Sequence, residues 1–166
     1  SGRASLFKRK LALKKKVRHN INAAWFRIAA KISVDDWSKN TEWQQRNEQS
    51  RYLSTNHLYG KGYWTWLIPL SSGSTSIGIV ADERFHSFKS INTFEKAREW
   101  LKKHEPQCSA MVEENLDCFQ DFLALKQFSY SCKQLYSEDG WCLTGDSGMF
   151  LDPLYSPGSD FIGMNN

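Results

Sequence analysis

Residues 60–81 constrain the fold of this chain more than any other stretch. In Tyr63-Trp64-Thr65-Trp66-Leu67-Ile68 a two-residue period puts Trp64, Trp66 and Ile68 on one face and Tyr63, Thr65 and Leu67 on the other. Pro69 has no N–H to donate and ends the regular ladder. Ser71-Ser72-Gly73-Ser74 supplies a turn, and residues 75–80 resume β-prone character. The pattern predicts an antiparallel hairpin whose strands are apolar enough on both faces to lie inside a sheet.

The rest of the chain can supply that sheet with a core. Of 166 residues, 40% are hydrophobic and 14% aromatic, with four prolines, which excludes disordered, collagen-like and coiled-coil chains. The net charge of +4 is unevenly spread. Residues 1–19 carry eight Lys or Arg and no acid, so the remainder is net acidic. No stretch reaches the roughly 18–20 apolar residues of a membrane-spanning helix, and the basic start lacks the apolar centre of a signal peptide. A cytoplasmic protein is expected.

Cys108, Cys118, Cys132 and Cys142 form no CxxC pair and read as buried, reduced thiols. His19, His57, His86 and His104 have no metal-ligand spacing, so no metal is expected.

Leu6, Phe7, Leu11, Leu13 and Val17 recur among basic residues at imperfect helical spacing, which predicts a basic amphipathic helix within residues 1–20. It reads as a solvated helix docked on the rest of the protein, with nucleic-acid or membrane-surface contact as the functional alternative. Residues 22–30 favour a strand because of Trp25, Phe26 and Ile28. Residues 35–51 read as a long connection anchored by Trp37 and Trp43. A helix capped by Asn92, with Phe94, Ala97 and Leu101 as its stripe, ends before Pro106. Val112, Leu116, Phe119 and Leu123 predict a second helix, and Phe128, Tyr130 and Cys132 a strand. After a turn at Glu138-Asp139-Gly140, a buried strand at Trp141-Cys142-Leu143 runs into Thr144-Gly145-Asp146-Ser147-Gly148. Without βαβ alternation or repeats, this order gives an α+β fold.

Chemistry concentrates in that last segment. Glycine lets backbone approach a ligand, and the oxygens of Asp146, at the end of a buried strand, need hydrogen bonds such as a polyol's hydroxyls supply. Ser156 can cap a helix with Pro157 at its first position, leaving amides that favour an anionic ligand edge. By itself this pattern fits a ligand site and a structural loop equally.

Two motifs together carry a resemblance. Trp64-Thr65-Trp66-Leu67-Ile68-Pro69 resembles the WxWxIP motif of flavin-dependent halogenases. Gly145-Asp146, followed by Asp152-Pro153-Leu154-Tyr155-Ser156-Pro157-Gly158, resembles the second FAD-binding motif of that family. Ser1-Gly2-Arg3 is similar to the end of an Asp-Ala-Ser-Gly-Arg segment found there. The resemblance covers essentially the whole chain but only the middle of a family member. It leaves the GxGxxG pyrophosphate loop and the family's active-site lysine outside the chain, and an isolated fragment is expected to be inactive, of low stability and poor at binding FAD.

The resemblance implies a mixed, mainly antiparallel substrate-domain sheet with flanking helices, plus part of an FAD-binding α/β domain. Its divisions would be a basic connecting helix at 1–20, a substrate-domain region at 21–138 and a partial FAD-binding segment at 139–166. Gly145, Asp146, Pro153, Ser156 and Gly158 would contact FAD, while Trp64, Trp66, Ile68 and Pro69 would wall a tunnel for the oxidised halide. The implied reaction uses reduced FAD, O2 and halide, with a separate flavin reductase, to halogenate an electron-rich aromatic ring that is free or carrier-bound. No nucleic-acid or membrane partner is implied.

Tyr155 stands where tryptophan halogenases carry a catalytic glutamate, which favours phenolic or carrier-bound rings over free tryptophan. Ser159-Asp160 replaces expected apolar residues, so a flavoprotein monooxygenase or reductase of the same fold is the alternative. A non-catalytic nucleic-acid-binding domain using the basic arm is the alternative from another class.

Overall fold

A computed structural model describes residues 5–165. The opening Ser-Gly-Arg and its resemblance lie outside the described residues. The first elements are helix α1 (Leu6–Lys10) and strands β1 (Lys14–Lys15) and β2 (Ile21–Ile28). Helix α2 (Thr41–Gln45) precedes β3 (Asn56–Gly60), β4 (Tyr63–Pro69) and β5 (Thr75–Asp82). Helices α3 (Phe94–His104) and α4 (Pro106–Glu114) lead to β6 (Phe119–Leu125). Short strands β7 (Ser131–Cys132), β8 (Tyr136–Ser137) and β9 (Trp141–Cys142) precede helix α5 (Pro157–Asn165). The chain divides into two compact units, one of residues 22–126 and one combining residues up to 21 with residues from 127 on. Residues 127–138 therefore pack with the second unit.

The first unit holds a five-stranded sheet in the order β3-β4-β5-β2-β6, in which β3–β4, β4–β5 and β2–β6 are antiparallel. The hairpin forms as its alternation predicts, and β4 and β5 are both interior strands. Leu67 of β4, Ile77 and Ile79 of β5, and Phe26 and Ile28 of β2 point to one face. There they pack with Trp100 and Leu101 of α3 and with Cys108 and Val112 of α4. Fourteen buried residues make this cluster, so the apolar area removed from water is concentrated here.

Several local expectations are corrected. Residues 116–125 do not continue a helix: after α4 one short turn at Leu116–Cys118 leads into β6, with Phe122 opposite Phe26 and Ala124 opposite Ala24. The spacing of Val112, Leu116, Phe119 and Leu123 fits a helix, but the open edge of β2 offers residues 119–125 a full ladder of hydrogen bonds. Thr93, not Asn92, caps α3, its Oγ1 accepting from the Lys96 N–H. Pro106 does not only end α3; it starts α4 at a position where its missing N–H does no harm.

The long connection is fastened by charge. The Asp35 carboxylate accepts from the Arg51 guanidinium and main-chain N–H, each at 2.8 Å. Arg51 also lies over the Trp43 ring at 3.9 Å and donates to the Trp43 carbonyl. This Arg51 hydrogen bond holds the Asp35 carboxyl below the usual carboxylate range, despite some desolvation.

In the second unit the basic helix is one short turn, because Ala12 adopts φ +51° and Leu13 N–H donates back to the Lys8 carbonyl. The chain then leaves as β1, pairing Lys14 with Cys132 and Lys15 with Ser131. Leu13, Cys132 and Leu143 form a small core against Leu135 and Trp141. The strand expected to be buried at Trp141-Cys142-Leu143 is a two-residue hairpin arm, with only Leu143 buried. All four cysteines are free: Cys108 and Cys132 are buried, Cys118 is half-buried and Cys142 is exposed, which corrects the expectation of four buried thiols.

Candidate active site

All five residues singled out as cofactor contacts line one cleft in the second unit. Gly145, Asp146, Pro153, Ser156 and Gly158 surround about 190 Å³, with Phe161 of α5 on its wall. The sequence builds the cleft from two tight turns. Gly145, at φ +51°, opens the first, and its carbonyl accepts from the N–H groups of Gly148 and Met149. The Tyr130 hydroxyl donates to the Asp146 carbonyl at 2.6 Å, while the Tyr130 and Phe150 main chains exchange two hydrogen bonds. In the second turn the Asp152 carboxylate accepts from the Leu154 N–H. Ser156 then takes a left-handed conformation, φ +51°, which sets Pro157 as the first residue of α5.

Asp146 is exposed, so its carboxylate carries no burial cost, contrary to the sequence reading. No hydrogen bond or ion pair holds that carboxylate among the described residues. A Cβ at Gly158 would meet only open space, so a ligand can come against the backbone there. The first N–H groups of α5 add donors at the positive end of the helix dipole. Together these groups offer a carboxylate for hydroxyls and main-chain donors for an electron-rich edge, a set that suits one end of a flavin dinucleotide. The cleft is smaller than the roughly 300–1,000 Å³ of a whole ligand pocket, so it fits part of such a molecule. Tyr155 is exposed and is not among the residues lining the cleft.

The tryptophan motif lies in the sheet unit. Trp64 is buried, while Trp66, Ile68 and Pro69 are half-buried. Trp64 and Trp66 stand on the face opposite the helices, ring centroids 5.7 Å apart. The Trp66 indole N–H donates to Ser76 Oγ at 3.1 Å. Gly78 sits opposite Trp66 in register, and a Cβ there would clash with the indole carbons, so glycine is what lets Trp66 lie across β5.

Sequence reasoning missed β3, which adds His57 and Tyr59 to the same face, opposite Trp66 and Trp64. The His57 ring meets Trp64 edge to face at 5.2 Å, and partial burial lowers its pKa. The available signal was the two-residue turn Lys61-Gly62, with Gly62 at φ +76°. Among the described residues no cluster of His, Cys, Asp or Glu could hold a metal ion, and no helix is long and apolar enough to cross a membrane.

No family model matches the chain. It is similar to a flavin-dependent halogenase of Dictyostelium discoideum, 31% identical over 112 residues, covering 66% of this chain and 18% of that protein. A brominase of carrier-protein-bound 1H-pyrrole-2-carbonyl groups from Pseudoalteromonas luteoviolacea is 33% identical over 110 residues, 65% of this chain and 26% of its own length. A chlorinase of the same type of substrate from Pseudomonas fluorescens is 25% identical over 158 residues, 95% of this chain and 33% of the relative. The chain thus spans a third or less of the curated relatives it matches.

Solved structures share the fold. The halogenase PltM in complex with phloroglucinol and FAD superposes with a TM-score of 0.76 at 20% identity, over 95% of this chain and 32% of that one. A flavoprotein/dehydrogenase from Cytophaga hutchinsonii gives 0.67 at 22% identity, over 98% and 36%.

Proposed function

From the premise that this chain is a relative of the flavin-dependent halogenases, we propose that the protein carrying it is an FAD-dependent oxidoreductase that halogenates an electron-rich aromatic ring. The observation that carries this reading is the alignment of up to 158 residues with curated halogenases. The cleft that gathers Gly145, Asp146, Pro153, Ser156 and Gly158 supports it from the side of geometry.

FAD, when bound, supplies the oxidation of halide at the expense of O2 and reduced flavin. The chain's own residues bind and shield. Asp146 accepts hydrogen bonds from cofactor hydroxyls, and Gly145 and Gly158 let the backbone come within contact distance. The α5 N-terminus donates toward a negative edge of the ring system or the halide. Trp64, Trp66 and Ile68 present an apolar surface that walls the path of the oxidised halide and keeps organic substrate away from the flavin. Substrate contact is assigned to the region 21–138 and cofactor contact to 139–166.

The relatives that act on carrier-bound pyrrole, together with Tyr155 in place of a glutamate, support a phenolic or carrier-bound ring as substrate. A separate reductase would supply reduced flavin, halide is the co-substrate, and the free thiols fit a reducing cytoplasm. A monooxygenase is the second reading, favoured by Ser159-Asp160 in the first turn of α5.

The test uses the protein encoded by the full reading frame, with FAD, a flavin reductase and bromide or chloride. Phenols and a carrier-loaded pyrrole are the acceptors, with products read by mass spectrometry. Halogenated product is expected, and Asp146→Ala is expected to weaken FAD binding about tenfold, the loss of about 1.4 kcal/mol. Hydroxylated product without halogen would replace the first reading by the second.

A further inference from the structure

The second unit contains a basic cavity that the halogenation chemistry does not use. About 450 Å³ in volume, it is lined by Lys8 and Arg9 of α1, by Lys14 and Lys15 of β1, and by Lys16. None of the described residues on its wall is acidic. Arg9, Lys14, Lys15 and Lys16 place four like charges around one cavity, where their mutual repulsion is screened only by solvent and salt. Such an arrangement is relieved by an occupant carrying two or more negative charges.

Two polar atoms mark the same wall. Ser129 is buried and its Oγ has no hydrogen-bond partner, and Asn20 Oδ1 is likewise buried without one. Buried polar atoms left unpaired cost stability. A ligand hydroxyl that donates to Asn20 Oδ1, and a ligand oxygen that accepts from Ser129 Oγ, remove that cost. The wall therefore offers cations for a phosphoryl group and neutral partners for a hydroxyl beside it. None of the residues lining this cavity lines the Gly145–Gly158 cleft, so the two are separate sites.

We infer that the basic cavity binds a small organic phosphate, with its phosphoryl group among Lys14, Lys15, Lys16 and Arg9 and a hydroxyl toward Ser129 and Asn20. The volume lies in the range of small-ligand pockets. These basic residues line a hollow of small-ligand size, which favours a compact phosphate over a nucleic acid. Lys8 ties the cavity wall to the loop beyond it: its ammonium lies 3.9 Å from the Tyr130 ring centroid and donates to the Gly148 carbonyl at 3.5 Å.

The experiment is calorimetric titration of the full-length, FAD-loaded protein with inorganic pyrophosphate and with a sugar phosphate at physiological salt. One saturable site is expected for each probe. In the Lys14→Ala/Lys15→Ala/Lys16→Ala variant binding weakens at least tenfold while flavin content stays that of the parent. The matching triple arginine variant keeps the charge and stays within about threefold of the parent, so a folding defect in the alanine variant leaves the inference testable. Ser129→Ala is expected to weaken the sugar phosphate more than pyrophosphate.

Absence of a saturable site would overturn the inference. So would pyrophosphate affinity unchanged in the alanine variant with native flavin content. Loss of FAD from the alanine variant, with pyrophosphate competing against FAD, would reassign the lysines to the flavin. RNA binding that strengthens with strand length and exceeds that of either phosphate would reassign the cavity to nucleic acid.

Discussion

The sheet unit and the unit that carries the Gly145–Gly158 cleft are held together differently. In the first, fourteen buried residues, twelve of them on β2, β4, β5, α3 and α4, form one cluster; in the second, the described residues include a small cluster of three. The second unit relies instead on turns closed by hydrogen bonds: Tyr130 to Asp146, Ser147 to Thr144, Asp152 to Leu154. A rigid sheet can hold the tryptophan motif in one geometry, whereas a thinly packed loop can close on a ligand. Segments that bind ligands are drawn from the low-stability end of a structure.

Mutations that remove core volume break this contrast most strongly. Phe26→Ala empties a site at the centre of the large cluster, where the ring also meets Phe94 edge to face at 5.1 Å. A loss of about 3–5 kcal/mol in unfolding free energy is expected, measured by denaturant titration. Leu143→Ala removes one of three buried residues from the small core, where the neighbours can relax. About 2 kcal/mol is expected there, at the lower end for a leucine truncation. A cost equal to that of Phe26→Ala would mean that the two units are equally well packed.

A smaller effect separates charge from packing inside the sheet unit. Arg51→Ala removes the cation that fastens the 35–51 connection, at an expected cost of about 1 kcal/mol near neutral pH. Because the folded-state pKa of Asp35 is depressed, its contribution is fully present above the unfolded value of about 3.9. It is lost as pH falls through the lower folded value. The difference between parent and variant should therefore shrink on acidification through that window, and a difference independent of pH would place the cost in lost contact with the Trp43 ring.

What could be read from sequence follows the same division of forces. The 63–82 hairpin was legible because strict alternation, a proline and a turn all agree. The Gly145–Gly158 cleft was legible because glycine, proline and a capping serine act locally on the backbone. β6 was not, since Leu116, Phe119 and Leu123 fit a helix and only the edge of β2, some ninety residues earlier, decides otherwise. The N-terminal basic helix was read as longer than the Leu6–Lys10 turn it forms because the left-handed turn at Ala12 has no glycine to announce it. β3 was missed because the face it gives to the sheet carries His57 and Tyr59 instead of aliphatic residues.

The most direct measurement is hydrogen exchange, read by mass spectrometry, on the full-length protein with and without FAD. Amides of residues 144–160 are expected to exchange quickly in the free protein and to slow at least tenfold when FAD is added. Those of residues 63–82 should be slow in both. Unchanged exchange at 144–160 on saturation with FAD would contradict the assignment of Gly145, Asp146 and Gly158 to the cofactor.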